Sequence, residues 1–326
     1  MTTTSVDPLR DTIRNLWGKM DINDTVVVQK VHGPAANDND PLPLINPAAW
    51  QGKPVPDREW WLDGLVPMRQ VTLLSGDGGV GKSLLALQLA AAGAMGSETL
   101  GIRPASGRAL YLGAEDEEDE FHRRLSDVVR AHSRQLADLE DFRLVPLADT
   151  DALLASPNKS GGMEPTPLFN RVVDLVCEFA PKVVVADTAA DLFGGDEIKR
   201  SQVRQFISML RAVAIKCDCA VILLTHPSVA GMQSGTGTSG STAWSNSARS
   251  RLYLTRPADK DSASDVRVLT SMKSNYGAVG DDLRFRWQEG AFVLDDGKPS
   301  PAAGILNRRQ DEKFRELLSL MNRTGQ

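Results

Sequence analysis

Eight consecutive residues carry the densest chemistry in this chain. Gly76-Asp77-Gly78-Gly79-Val80-Gly81-Lys82-Ser83 fits the pattern G-x-x-x-x-G-K-S at every fixed position, and Leu84 opens the apolar segment that follows. Glycines so placed let successive backbone N–H groups turn inward around phosphate oxygens at a helix N-terminus. Lys82 adds a point charge for the β- and γ-phosphates, and the Ser83 hydroxyl is a ligand for Mg²⁺. An ordinary glycine-rich turn would need neither all four fixed positions nor the apolar run 71–75 that leads into them.

A phosphate loop of this kind requires a carboxylate on the metal side, at the end of another buried strand. Val183-Val184-Val185-Ala186-Asp187 supplies one, with Asp187 placed to hold Mg²⁺ through its water shell. Acidic residues also run unbroken from Glu115 to Glu120. The later members suit a solvated first helical turn, where carboxylates complement the helix dipole. Glu115 instead falls at a strand's carboxyl end, where α/β sheets place ligands. There it can orient and activate the water that attacks a γ-phosphate, with Asp116 as the alternative carboxylate. His226 closes the run 220–226 and is positioned as a γ-phosphate sensor; His32, His122 and His132 have no comparable placement.

These residues need a scaffold that brings strand ends together. Short apolar runs recur at 71–75, 108–113, 142–147, 182–187 and 220–226, separated by helix-length segments at 83–95, 117–135, 167–180 and 201–217. Continuous Val, Ile and Leu predict strands buried on both faces, and alternation with helices predicts βαβ units in a parallel sheet. After residue 249 the helices stop, and four short segments predict an antiparallel meander. The expected fold class is therefore α/β, mostly parallel with flanking helices, plus antiparallel C-terminal strands.

Composition fits that scaffold. The 326 residues are 41% apolar and 24% charged with a net charge of −5, so a sizeable core is available and no global basic field marks a DNA-coating protein. Cys177, Cys217 and Cys219 read as thiols in a reducing compartment. Apolar stretches are broken well short of a membrane span, so the expectation is a cytoplasmic protein without membrane contact.

Taken in order, GDGGVGKSLLALQLA, YLGAEDEEDEFHRRL, VVVADT, ILLTH, the GST…NSARSRLYL segment and KSNYG resemble the RepA-type hexameric replicative helicases of plasmids and the related AAA-type ATPases of phages and mobile elements. These belong to the RecA/DnaB-like P-loop group, and the resemblance spans about residues 60–294. It implies a RecA-like core that hydrolyses ATP with Mg²⁺, Glu115 as catalytic glutamate and Asp187 as the Walker B aspartate. It also implies that His226 is the sensor histidine and Arg249 an arginine finger reaching a neighbouring subunit's nucleotide, with Arg251 competing for that role. Lys273 lies where related ring ATPases place a second trans-acting cation. Their usual Lys-x-Arg pair reads Lys273-Ser274-Asn275 here.

A homo-oligomer, most simply a hexameric ring, follows from the resemblance, as does single-stranded DNA in loops 188–204 and 227–242. The first loop carries Lys199, Arg200 and Arg204; the second is rich in Gly, Ser and Thr and has neither Lys nor Arg. Leu9, Ile13, Leu16, Trp17 and Met20 form one face of a short helix, followed by a Pro- and Asn-rich linker. The expected organisation is an arm and linker over 1–58, an ATPase domain over 59–298, and a linker with the start of a helix over 299–326. The two readings of function are a ring-forming motor, as a replicative helicase or DNA-linked ATPase, and an ATP-dependent assembly switch without unwinding.

Overall fold

The continuous apolar runs become the centre of a nine-stranded sheet. The computed structural model describes residues 44–227, 242–257, 265–277 and 282–295. Strands are numbered β1 (Trp60–Leu62), β2 (Val66–Pro67), β3 (Val71–Gly76), β4 (Ala109–Gly113), β5 (Phe142–Pro146), β6 (Ala155–Pro157), β7 (Met163–Pro165), β8 (Val183–Asp187), β9 (Ala220–Thr225), β10 (Ser250–Thr255), β11 (Val266–Ser274), β12 (Leu283–Gln288) and β13 (Ala291–Leu294). The main sheet has the order β13-β12-β11-β10-β3-β9-β8-β4-β5, and β1–β2 and β6–β7 form separate hairpins.

Strands β10, β3, β9, β8, β4 and β5 run parallel, while β11, β12 and β13 are antiparallel. Helix connections place every parallel strand's carboxyl end on the same edge, which gathers the chemical residues there. In sheet order the four central ends carry the glycine loop after β3, His226 after β9, Asp187 closing β8 and Glu115 just beyond β4.

The helices are α1 (Lys82–Ala94), α2 (Glu118–Ala131), α3 (Pro167–Phe179), α4 (Ala189–Leu192), α5 (Arg200–Lys216) and α6 (Thr242–Ser247). Past Ser83, α1 is built from Leu, Ala and Gly with Gln88 the one polar residue, and it is buried along most of its length against the sheet. α2 buries Phe121, Leu125, Val128 and Val129, a single stripe at helical spacing. α3 starts sharply because the Thr166 hydroxyl accepts from the Phe169 N–H and Pro167 occupies the first turn.

Three sequence expectations change. Helix α2 ends at Ala131 rather than 135, since Ser133 takes a left-handed φ of 53° that halts the helical run. β10 does not open an antiparallel meander: it lies parallel to β3 and is buried on both faces for five of its six residues. The strand on the open flank of β3 is covered on both faces although it carries Ser250 and Arg251, and alternating burial begins only with β11. Cys177 and Cys217 form a disulfide with Cα atoms 5.3 Å apart, leaving Cys219 as the buried thiol. The last turn of α3 and the end of α5 meet in space, which a separation of 40 residues conceals. The expected arm helix and C-terminal helix lie outside the described residues. Among the described residues no helix is long and apolar enough to cross a membrane.

Candidate nucleotide site

The glycine loop wraps one end of a cleft of about 480 Å³. Gly79, Val80, Gly81, Lys82, Ser83 and Leu84 line it, facing Glu115, Asp116 and His226. Gly76 ends β3 at a point where a Cβ would lie 2.6 Å from the Leu254 carbonyl oxygen, so the strand can leave the sheet only as glycine. Gly78 has open space around it. Gly81 adopts φ +100°, and its missing side chain leaves room for the Phe292 ring.

Lys82 is almost fully buried, and its ammonium donates to the carbonyls of Gly76 (2.8 Å) and Asp77 (3.1 Å). Burial holds its pKa below the ordinary lysine value, opposed by the charges of Asp187, Glu115 and Asp77. His226 Nδ1 stands 3.4 Å from Lys82 Nζ. An ammonium has no lone pair, so Nδ1 must accept and the ring proton belongs on Nε2. That nitrogen faces Glu115 Oε1 at 3.9 Å. His226 thus stands between Lys82 and Glu115.

Asp187 is 2% exposed, and its Oδ2 accepts a 2.6 Å hydrogen bond from the Tyr111 hydroxyl. Burial pushes its carboxyl up to about 6, against hydrogen bonds from Tyr111 and Ser83, with Glu115 and Asp116 adding to the rise. Oδ1 is buried without a hydrogen-bond partner. A buried carboxylate with one oxygen unsatisfied, beside the Ser83 hydroxyl, fits a hard divalent cation such as Mg²⁺. The peptide that follows, Asp187–Thr188, is cis.

The two candidate carboxylates at β4 differ in what holds them. Asp116 is gripped by Arg124 through both oxygens, at 2.6 and 3.3 Å, and Arg124 also bonds Glu120. Among the described residues Glu115 comes within ion-pair distance of the His226 ring alone, and it stays half-exposed at the cleft.

Arg249 and Lys273 are not brought to this cleft. The Arg249 N–H bonds Val71 O, beside the first residue of β3, whereas the glycine loop follows the last. A strand of that length separates them by roughly 18 Å, beyond one side chain's reach. Lys273 pairs in register with Arg251, and its ammonium donates to Ser245 O (2.7 Å) and Ala248 O (2.9 Å). Burial, then Arg249, Arg251 and Arg211, hold its pKa below the ordinary value. Arg211, on α5, donates to the Ser247 carbonyl and is lowered by burial and by Arg249. Four cations therefore gather at this edge, and among the described residues no carboxylate pairs with Arg249 or Lys273. In the loop 188–204, Lys199, Arg200 and Arg204 are exposed around the start of α5. The loop 227–242 lies outside the described residues except at its two ends.

Sequence reasoning missed a whole wall of the site. Arg267, Trp287 and Phe292, from β11, β12 and β13, line the cleft. Arg267 Nε donates to Val80 O at 2.8 Å, and Arg256 donates to Gly79 O at 3.1 Å. Gln88, buried on α1, bonds both the N–H and the C=O of Phe292 at 2.8 Å. The isolated polar Gln88 inside an otherwise apolar helix was the available signal, since a buried amide needs partners.

Residues 38–232, more than half of the chain, match the family described as the AAA domain. In fold the chain is similar to a KaiC-like protein from the hyperthermophilic archaeon Pyrococcus horikoshii OT3, with a TM-score of 0.50, 15% identity, and coverage of 72% of this chain and 93% of that one. A RadB recombinase gives a TM-score of 0.48 at 16% identity, covering 71% and 92% respectively. The glycine loop, the buried strand-end aspartate and the match over 38–232 together place this chain in the AAA domain family, on a RecA-like P-loop fold.

Proposed function

We propose that this protein is a Mg²⁺-dependent ATPase whose site is completed by a second copy of the chain, working as a ring on single-stranded DNA. The observation that carries the reading is the convergence of the glycine loop, His226, Asp187 and Glu115 on four adjacent strand ends. Loop N–H groups and Lys82 hold the β- and γ-phosphates. Ser83 and Asp187 would hold Mg²⁺, which when bound neutralises charge on the phosphate oxygens. Glu115 orients a water and takes its proton as the oxygen attacks the γ-phosphorus and the bond to the β-bridging oxygen breaks. His226 relays the presence of the γ-phosphate between Lys82 and Glu115.

Assembly is supported by the placement of Arg249. It lies too far from its own cleft, in a cluster of cations that an incoming polyphosphate would neutralise. A guanidinium supplied in trans is worth about 10³–10⁵ in rate. Lys199, Arg200 and Arg204 are exposed and suited to phosphate contacts with a strand, and repetition around a ring multiplies them. Such a motor serves as a replicative helicase or a DNA-linked ATPase of a plasmid, phage or mobile element.

Subunit mixing tests this. Lys82→Ala and Arg249→Ala assemblies should each lose at least about 10²-fold in ATP turnover. Mixing them should restore a fraction, because one variant supplies an intact loop and the other an intact finger. Single-stranded DNA should stimulate the wild type at low salt and lose its effect as salt rises. Full turnover by pure Arg249→Ala assemblies would overturn the trans site. Absence of any turnover by the wild type would overturn the ATPase.

A further inference from the structure

The cleft is lined by polar groups from the glycine loop and the strand ends and by aromatic rings from the antiparallel strands. Trp287 and Phe292 face each other across the β12–β13 ladder, and both line the cleft beside the glycine loop. Phe292 is 2% exposed: its ring packs edge-on against Phe285 at 5.0 Å and fills the space above Gly81. Trp287 lies on the same strand face as Phe285, two residues along, yet is 41% exposed. Its backbone is fixed, since the Trp287 N–H donates to Asp265 O at 2.9 Å. The hairpin itself is clamped to α1 by Gln88. An indole on an anchored backbone lining a charged cleft, with part of its apolar surface open to solvent, offers a stacking platform for a flat ring.

We propose that Trp287 is the base platform of this site, stacking on the nucleobase of the nucleotide whose phosphates the glycine loop holds. The inference rests on the nucleotide-site reading and adds to it the subsite for the base. Every nucleobase presents a π-face, so the platform selects a nucleoside phosphate over a bare polyphosphate and discriminates weakly among bases. It also assigns the antiparallel extension a binding role.

The test is calorimetric titration of the full chain with two probes, ADP and inorganic tripolyphosphate, in wild type, Trp287→Ala and Trp287→Phe. Loss of a base–aromatic stack weakens binding by about 5- to 100-fold. Trp287→Ala should weaken ADP by that factor and change tripolyphosphate less than about twofold, and Trp287→Phe should recover most of the ADP affinity. Wild-type ADP affinity in Trp287→Ala overturns the platform while leaving the nucleotide site intact. Equal weakening of both probes also overturns it, since the indole would then only brace the phosphate loop. If wild type binds neither probe, the nucleotide-site reading itself fails.

Discussion

Replacing Gln88 by methionine isolates what holds the antiparallel strands onto the phosphate-loop helix. The two side chains are similar in length and volume, so packing changes little and the loss is one of hydrogen bonds. β13 is the sheet's edge strand, and at Phe292 its N–H and C=O face away from β12 toward α1. Gln88 satisfies both at 2.8 Å and also donates to the Thr99 hydroxyl at 2.9 Å. With methionine there, two buried backbone groups lose their partners, at about 1–2 kcal/mol each, for roughly 2–4 kcal/mol in all. For a domain of this size that is a fall of roughly 5–15 °C in Tm. Thermal unfolding by circular dichroism measures the total, and amide hydrogen exchange locates it. Protection should fall first in β12 and β13. A Tm within about 1 °C of wild type, with exchange unchanged at Phe292, would show that the clamp contributes nothing and that strand pairing alone secures the hairpin.

Two further substitutions probe the cleft. Gly81→Ala places a Cβ 2.6 Å from Phe292 Cζ at a φ of +100°, so ATP affinity in an equilibrium titration should fall by at least about 10-fold, and unchanged affinity would contradict the contact. At the end of β4, Glu115→Gln should lower steady-state ATP turnover by at least about 10²-fold, whereas Asp116→Asn should cost less than about fivefold because Asp116 already serves Arg124; the opposite order would transfer the water-orienting role to Asp116.

How much of this was readable from sequence depends on how local each feature is. The runs ending in Ser75, Gly113, Asp187 and Thr225 carry consecutive apolar residues with no polar alternation, and that pattern marks strands buried on both faces. The glycine loop is eight contiguous residues, so its pattern is recognisable without tertiary knowledge. Asp187 and His226 could be placed because a strand end is a position in one dimension as well as three. Features made by distant segments were not legible. β10 resembles an antiparallel strand until β3 is known to have an open flank. Trp244 lies just past the Gly/Ser/Thr-rich loop with no apolar run to mark it, yet it is 1% exposed against Phe193 and Phe206. Arg267 and Trp287 look like solvent-facing members of a polar meander, and only the closing of β11–β13 over α1 turns them toward the cleft.

The bond from Arg267 to the Val80 carbonyl also fixes an orientation. A peptide group is planar and trans, so the Val80 carbonyl and the Gly81 N–H point in opposite directions. Anchoring the oxygen on Arg267 turns the Gly81 N–H away from β11 and leaves it for an incoming acceptor. The direction of this loop's peptide dipole is therefore set by a guanidinium 187 residues downstream, well past residue 232, where the family match ends. Grafting 76–83 onto another scaffold would transplant the letters of the motif without the strut that aims its dipoles. The affinity of such a loop is a property of the sheet that closes over it, and two chains identical from Gly76 to Ser83 can differ widely in how tightly they hold the same phosphate.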